Sequence, residues 1–375
     1  MGAEQPNASD SLSLFCSDGR IADIGAPRRA DIEVDAEGCT VVPGFVDAHT
    51  HLPYVASAPG SEHGPEWVFA CASALAASDD AAVIAFAEHL AAGMLAGGTT
   101  CFEMKSGLGL SVAGELRHLR LAQALAARVP QCVATTCLAA HAVPPGKSQG
   151  QWVGEAATSL LPQVARKALA SACDVHVELF SFALEHAARL TRAAHELGLR
   201  MRIHADRFAD NQTAAFAARW GLATADHLNH TSLDAIDDLA SSDTMAVLLP
   251  ASTLAVGQSR HPSARALLEA GAAVALGSDA GPVAGAPGML HVMELACETL
   301  GLSPVEALGA ATVNAACALG LDGCVGRLEL DGRADAVVLG APDLAGPHIP
   351  PVVAVVCAGR LAYVAPGAED RILGR

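Results

Sequence analysis

Residues 44–55 read GFVDAHTHLPYV. An apolar run closes on two histidines, His49 and His51, spaced two apart, so on an extended chain both imidazoles project from one side. That arrangement suits chelation of a metal and equally suits a polar sheet face, and the stretch alone leaves both open. What surrounds it decides the fold. TVVPGFVDAHTH is the first of eight short β-branched runs, followed by GTTCFEMKSG, CVATTCLAAHAV, CDVHVELF, LRMRIHADRF, ATADHLNH, TMAVLLPAST and AAVALGSDAG. Between them lie Ala/Leu-rich stretches of helical period near residues 79–96, 112–128, 151–171, 182–198, 211–220, 232–241, 261–270 and 288–301. Eight successive βα units over about 260 residues predict a (β/α)8 TIM-type barrel, an α/β fold whose active site is built at the C-terminal ends of the strands.

The two ends of the chain read differently. LSLFCSDGRIADIG and DIEVDAEGCTVV at the start, and GRLELDGRADAVVLGAP and VVAVVCAGRLAYVA at the finish, resemble short antiparallel strands with turns at DGR and AEG. They are expected to pair into a small β-sandwich beside the barrel, dividing the chain at residues 1–42, 43–324 and 325–375. An added helix, SPVEALGAATVNAACALGL, precedes the final strands, with Ser303 and Pro304 as its start signal.

The reactive side chains fall where such a barrel needs them. Strand one closes with His49 and His51, strand two with Glu103 and Lys105, strand three with His141 and strand four with Glu178. Strand five closes with His204 and Asp206, strand six with His227 and His230, and strand eight with Asp279. Fifteen histidines scattered at random rarely reach the ends of four of the first six strands. This placement favours a metal-centred site over unrelated polar caps.

Composition narrows the partner. The chain has 375 residues, 51% hydrophobic and 17% charged, with a formal net charge of −17, which leaves no basic surface for nucleic acid or an anionic membrane. A small-molecule substrate is expected. The opening MGAEQPNASD lacks the basic and apolar regions of a signal peptide, and no apolar stretch is long enough to span a bilayer, so a cytoplasmic protein is expected. Eleven cysteines without a CxxC pair fit reduced, packed thiols.

Neutral imidazoles and one carboxylate are a typical ligand set for zinc or another divalent transition metal, and His49, His51, His204 and Asp279 supply it. A bound ion lowers the pKa of coordinated water and polarises a carbonyl, which implies hydrolysis of a C–N or C–O bond. Asp279 can also take a proton from the attacking water and deliver it to the leaving nitrogen. His227 either orients the water and the developing oxyanion or is a barrel-rim histidine, and His141 either grips a substrate carbonyl or lies on the rim. His230 reads as structural. Glu178 could bridge a second ion with His141 and His227, although one metal is favoured. Lys105 sits before a Gly-rich turn without P-loop spacing and is expected to bind a substrate anion or a nearby carboxylate.

VVPGFVDAHTHL, GGTTCFEMKSGLGL, AAHAVPPG, RIHADRF, TADHLNHTS, AVLLP, GSDAGP and LSPVEALGAATVNAACALGL, in this order, resemble the amidohydrolase superfamily, most closely its imidazolonepropionase branch. The resemblance covers nearly the whole chain and implies opening of an imidazolone ring with one zinc or iron ion on His49, His51, His204 and Asp279. It also implies His227 beside the attacking water, His141 against the substrate, and a homodimer. Four positions depart from the pattern: Ala58 stands where an arginine clamps the substrate's propionate, Leu108 replaces a tyrosine, Arg207 a glutamate used in proton transfer, and Gly281 an asparagine. All four touch recognition or proton transfer and none is a ligand, which implies retained metal chemistry with a changed, less polar substrate pocket. Arg207 either replaces the missing clamp or lies on the rim paired with Asp206 or Asp210. The rival expectations are a deaminase on the same site and a non-catalytic binding protein.

Overall fold

The computed structural model describes residues 12–55, 66–178, 181–346 and 348–374. Ala58, one of the four departures, lies outside them. Eight parallel strands follow one another around a single sheet: β1 (Phe45–Asp47), β2 (Thr99–Lys105), β3 (Cys132–Ala140), β4 (Ala172–His176), β5 (Arg200–Ala205), β6 (Thr224–His227), β7 (Met245–Leu248) and β8 (Val274–Leu276). β8 meets β1 through a Thr50–Ala280 bridge, with the amide of Asp279 donating to the carbonyl of His49 at 2.9 Å and that of His51 to Ala280 at 2.7 Å. The residues that close the barrel are therefore the site residues themselves.

Two glycines let the backbones approach this closely. A Cβ on Gly44 would stand 2.1 Å from the hydroxyl of Thr100, and one on Gly277 would stand 2.8 Å from the Cβ of His49. Strands buried on both faces carry continuous apolar or internally paired residues, as in TTCFEMK of β2, where every residue is buried. Outward-facing side chains pack under the helices, and the inward-facing ones of β2, β4, β5 and β6 are charged.

The helices differ from expectation in four places. Glu66–Ala77 forms a helix where none is expected, and so does Pro250–Ala255 at the end of β7. The helix expected over 151–171 is Gln149–Glu155 and Leu161–Arg166 joined by one wide π turn at Ala156–Leu160, where Pro162 removes a backbone donor. The added helix divides into Pro304–Ala310 and Val313–Leu319, because Thr312 leaves helical geometry at φ −130° and ψ −93°.

The chain ends do pair with each other. Thr40–Pro43 lies antiparallel to Ala336–Leu339, which continues through Val352–Cys357 to Arg360–Val364. Ser13–Ser17 and Arg20–Gly25 form a hairpin turned at Asp18 and Gly19, both at positive φ. The AEG turn does not close a hairpin as expected: Ile32–Val34 pairs instead with Ile372–Gly374, and Thr40–Pro43 with Ala336–Leu339. GRLEL forms no strand. No helix among the described residues is long and apolar enough to cross a membrane.

Candidate metal centre

Side chains at the C-terminal ends of β1 and β5 converge. His49 and His51 turn their Nε2 atoms to within 3.2 Å of each other, and the Nε2 of His204 lies 3.5 Å from that of His51. The three rings offer ligand atoms all within 4.8 Å of one another, the one such cluster among the described residues. Asp279 brings its Oδ1 to 3.2 Å from the Nε2 of His51 and 3.6 Å from that of His49.

The far nitrogens settle which atoms face inward. The Nδ1 of His49 lies 2.6 Å from Asp226 Oδ2, and the Nδ1 of His204 lies 3.2 Å from Asp174 Oδ1. A carboxylate only accepts, so each Nδ1 carries the proton and each Nε2 turns a lone pair toward the centre. Burial, helped by the charge of Lys105, holds His49 well below the ordinary histidine range, and burial also lowers His51. Lone pairs on neutral imidazoles facing one another at 3.2 Å beside a carboxylate fit a divalent cation and repel without one. The guanidinium of Arg207, 3.7 Å from Oδ2, favours the ionised carboxylate of Asp279 against the cost of its burial.

Beneath the histidines lies a closed set of charges. Lys105 Nζ contacts Asp174 Oδ2 at 2.6 Å and Glu103 Oε2 at 2.9 Å, while Arg202 contacts Glu103 Oε1 and Asp226 Oδ2, each at 3.1 Å. Thr136 donates its hydroxyl to Glu103. Each carboxylate behind His49 and His204 is thus backed by a cation. Lys105, expected among substrate contacts, has no solvent exposure and meets the carboxylates of this layer, with no access to the cavity above.

That cavity opens over the centre. His51, His141, His176, His204, Arg207 and Asp279 form its polar wall, and Trp67, Phe208, Pro282 and Val283 its apolar one, with Gly281 at the edge. Leu108, the other expected substrate contact, is buried with Leu52, Tyr54 and Met104 and is not among the cavity's lining residues, because the turn after β2 folds its side chain into the core. His141 stacks on His51 at 5.3 Å between ring centres, and its Nδ1 lies 3.2 Å from the carbonyl of Gly107. That contact puts the proton on Nδ1 and leaves Nε2 an acceptor. Burial lowers His141, His176 and His227 well below the ordinary range, so these rings too are neutral.

His227 stands 5.2 Å from the ring of His204 and 5.5 Å from that of His49. Its Nε2 is buried without a hydrogen bond to any described residue, and its backbone is held at φ +83°. Asp279 and Asp206 share this left-handed geometry at φ +56° and +49°.

Two of the alternatives left open find no support in the described contacts. Glu178 is not placed to bridge a second ion: Oε1 accepts the amides of Arg207 and Phe208 at 2.9 and 3.0 Å, and Oε2 accepts from the side chain of Asn211 at 2.8 Å. Arg207 does not lie on the rim beside Asp206 or Asp210. It is buried, and its Nη2 donates to Ser252 at 3.0 Å and approaches Asp279 Oδ2 at 3.7 Å. Asp206 instead pins the following loop, accepting from the amides of Asn211, Thr213 and Ala214. His230 is partly exposed, and its amide donates to Asp206.

Sequence reasoning missed Asp174, Asp226, His176, Ser252 and Trp67. The first two are carboxylates on fully buried strands, and their partners, Lys105, Arg202 and the histidines, lie on other strands, so nothing local pointed to them.

Comparison with known proteins agrees with this picture. The model of the "Amidohydrolase family" matches residues 40–365. The chain is 39% identical to an imidazolonepropionase of Rubrobacter xylanophilus over 91% of its own length and 89% of the relative's. It is 36% identical to one of Symbiobacterium thermophilum, over 88% and 84%. Among solved structures it resembles a 5-methylcytosine deaminase from Klebsiella pneumoniae (TM-score 0.76, 16% identity, 96% and 95% of the two chains). It also resembles a zinc-bound adenosine deaminase from Xanthomonas campestris (TM-score 0.70, 19% identity, 96% and 92%). At such identities the structural matches show a shared fold.

Proposed function

The chain belongs to the amidohydrolase family, and from that premise we propose that it hydrolyses a C–N bond in a small cyclic amide or imidazolone-type ring. His49, His51, His204 and Asp279 would hold one divalent ion, with zinc the best fit to the donor set and iron the alternative. The observation that carries this reading is the convergence of three Nε2 lone pairs, two of them set by a carboxylate behind the ring, at the floor of a cavity. Such an ion supplies Lewis acidity toward a carbonyl and activation of water.

The protein's own groups do the rest. Asp279 accepts the proton of the attacking water as the water oxygen bonds to the carbonyl carbon, then returns it to the nitrogen as the C–N bond breaks. His227, kept neutral by burial, has an N–H to donate to the developing oxyanion. His141 was expected against a substrate carbonyl, but with its proton committed to Gly107 its Nε2 instead accepts a ring N–H of the substrate. Trp67, Phe208 and Val283 cover the apolar face of the ring and exclude water. Arg207 and Gly281 line the cavity at two positions that depart from the imidazolonepropionase pattern, which supports a related ring substrate with different substituents.

The test is metal analysis of the purified protein followed by a panel of cyclic amides with and without a carboxylate. One divalent ion per chain, ring opening without release of ammonia, and loss of turnover to background in His204→Ala are expected. A wild-type protein that binds no stoichiometric metal, or a His204→Ala variant with full activity, overturns the reading. Ammonia release without ring opening would replace it with deamination, and failure across the panel with a binding role.

A further inference from the structure

We infer that Ser252 is a positioning residue for Asp279, and that Arg207 reaches the metal site through it. The inference rests on the proposed role of Asp279 as a ligand. A carboxylate has two equivalent oxygens and turns easily about its terminal torsion, so something must decide which one faces the histidines. Here Oδ1 faces them, and Oδ2 accepts the hydroxyl of Ser252 at 2.6 Å. Ser252 is buried in the first turn after β7, and its oxygen accepts the Nη2–H of Arg207 at 3.0 Å.

The direction of this chain is forced. Guanidinium only donates and carboxylate only accepts, so the serine must accept from one and donate to the other. Arg207 is itself fixed at the backbone, its amide on Glu178 and its carbonyl on Gln258. Three strand ends, those of β5, β7 and β8, are thereby joined in one line that terminates on a ligand carboxylate. A glutamate at position 207, as in the pattern this chain departs from, would accept the same hydroxyl proton and compete with Asp279 for it. The arginine therefore does not merely remove an acid; it makes Ser252 a one-way donor.

The experiment needs no substrate: affinity for zinc is measured by competition with a chelating dye on the full chain. Residues that orient metal ligands typically cost roughly 10–100-fold in affinity when removed. Ser252→Ala is expected to weaken zinc binding by about that factor, and Ser252→Thr, which keeps the hydroxyl, to restore it. Arg207→Met should weaken binding less, and the double variant should lose less than the sum of the two single losses, because Arg207 acts mainly through Ser252. Zinc affinity of Ser252→Ala within twofold of wild type overturns the inference, as does an Arg207→Met loss that adds in full to that of Ser252→Ala. A folded Ser252→Ala variant is verified by its circular dichroism, and if it does not fold, Ser252→Cys, a weak donor, takes its place with the same expectation. A wild-type chain that binds no zinc at all overturns the metal reading instead, so the two failures are separate.

Discussion

His118 shows how a single residue away from the metal centre shapes the behaviour of the chain. It sits on the helix Val112–Ala126, and its Nε2 donates to the carbonyl of Pro53 at 2.8 Å, tying down the segment that follows His51. Its Nδ1 is buried without a described partner, and burial lowers the ring's pKa to about 4 from an ordinary 6.5. Between those values the unfolded chain binds a proton that the folded one refuses, so stability rises with pH across this window and is complete above it. The full contribution is ~3 kcal/mol. His118→Gln, whose amide can still donate to Pro53, is expected to flatten the fall in stability between pH 6.5 and 4, read from denaturant midpoints at each pH. At this scale the sequence is uneven. The candidate ligand histidines are legible because they stand at strand ends, where a barrel exposes its side chains. Asp174 and Asp226 are not, because a buried carboxylate takes its meaning from partners on other strands, and nothing local names them.

Four strands each contribute to the charged layer: Glu103 and Lys105 on β2, Asp174 on β4, Arg202 on β5 and Asp226 on β6. Three carboxylates against two cations leave one negative charge in excess, placed directly beneath the ligand set. Lys105→Met removes half the compensation without exposing the layer to water. A loss of about 3–5 kcal/mol is expected, the usual cost of stranding buried charge, visible as a lower denaturant midpoint with or without added metal. All eight strands are legible from β-branched runs, and the helix Pro304–Ala310 from its Ser303 start. The helix Glu66–Ala77 is not, because EWVFACASALAA is apolar on almost every side and shows no stripe to count. Pro250–Ala255 hides for another reason: its six residues make under two turns and begin one residue after the strand, too short a stretch to show a helical period.

Across the whole molecule, the barrel and the sheet at the chain ends share a backbone. Thr40–Pro43 belongs to the end sheet and Phe45–Asp47 is β1, with only Gly44 between them. The element that carries His49 and His51 is therefore anchored by Ala336–Leu339. Val338→Pro, in the middle of that sheet, removes a ladder donor and is expected to lower both the melting temperature and the zinc bound per chain, although Val338 does not line the cavity. The barrel is legible from the sequence as a whole because its units repeat; the pairing of the ends is not, because short strands of similar pattern do not say which of several partners they take. For the chain as it leaves the ribosome, Leu339 follows Asp47 by 292 residues. At about 5–20 residues per second that interval is roughly 15–60 s. The two histidines made first are paired early with β2, but the anchor behind their strand, and Asp279 beside them, come only after almost the whole barrel has been made.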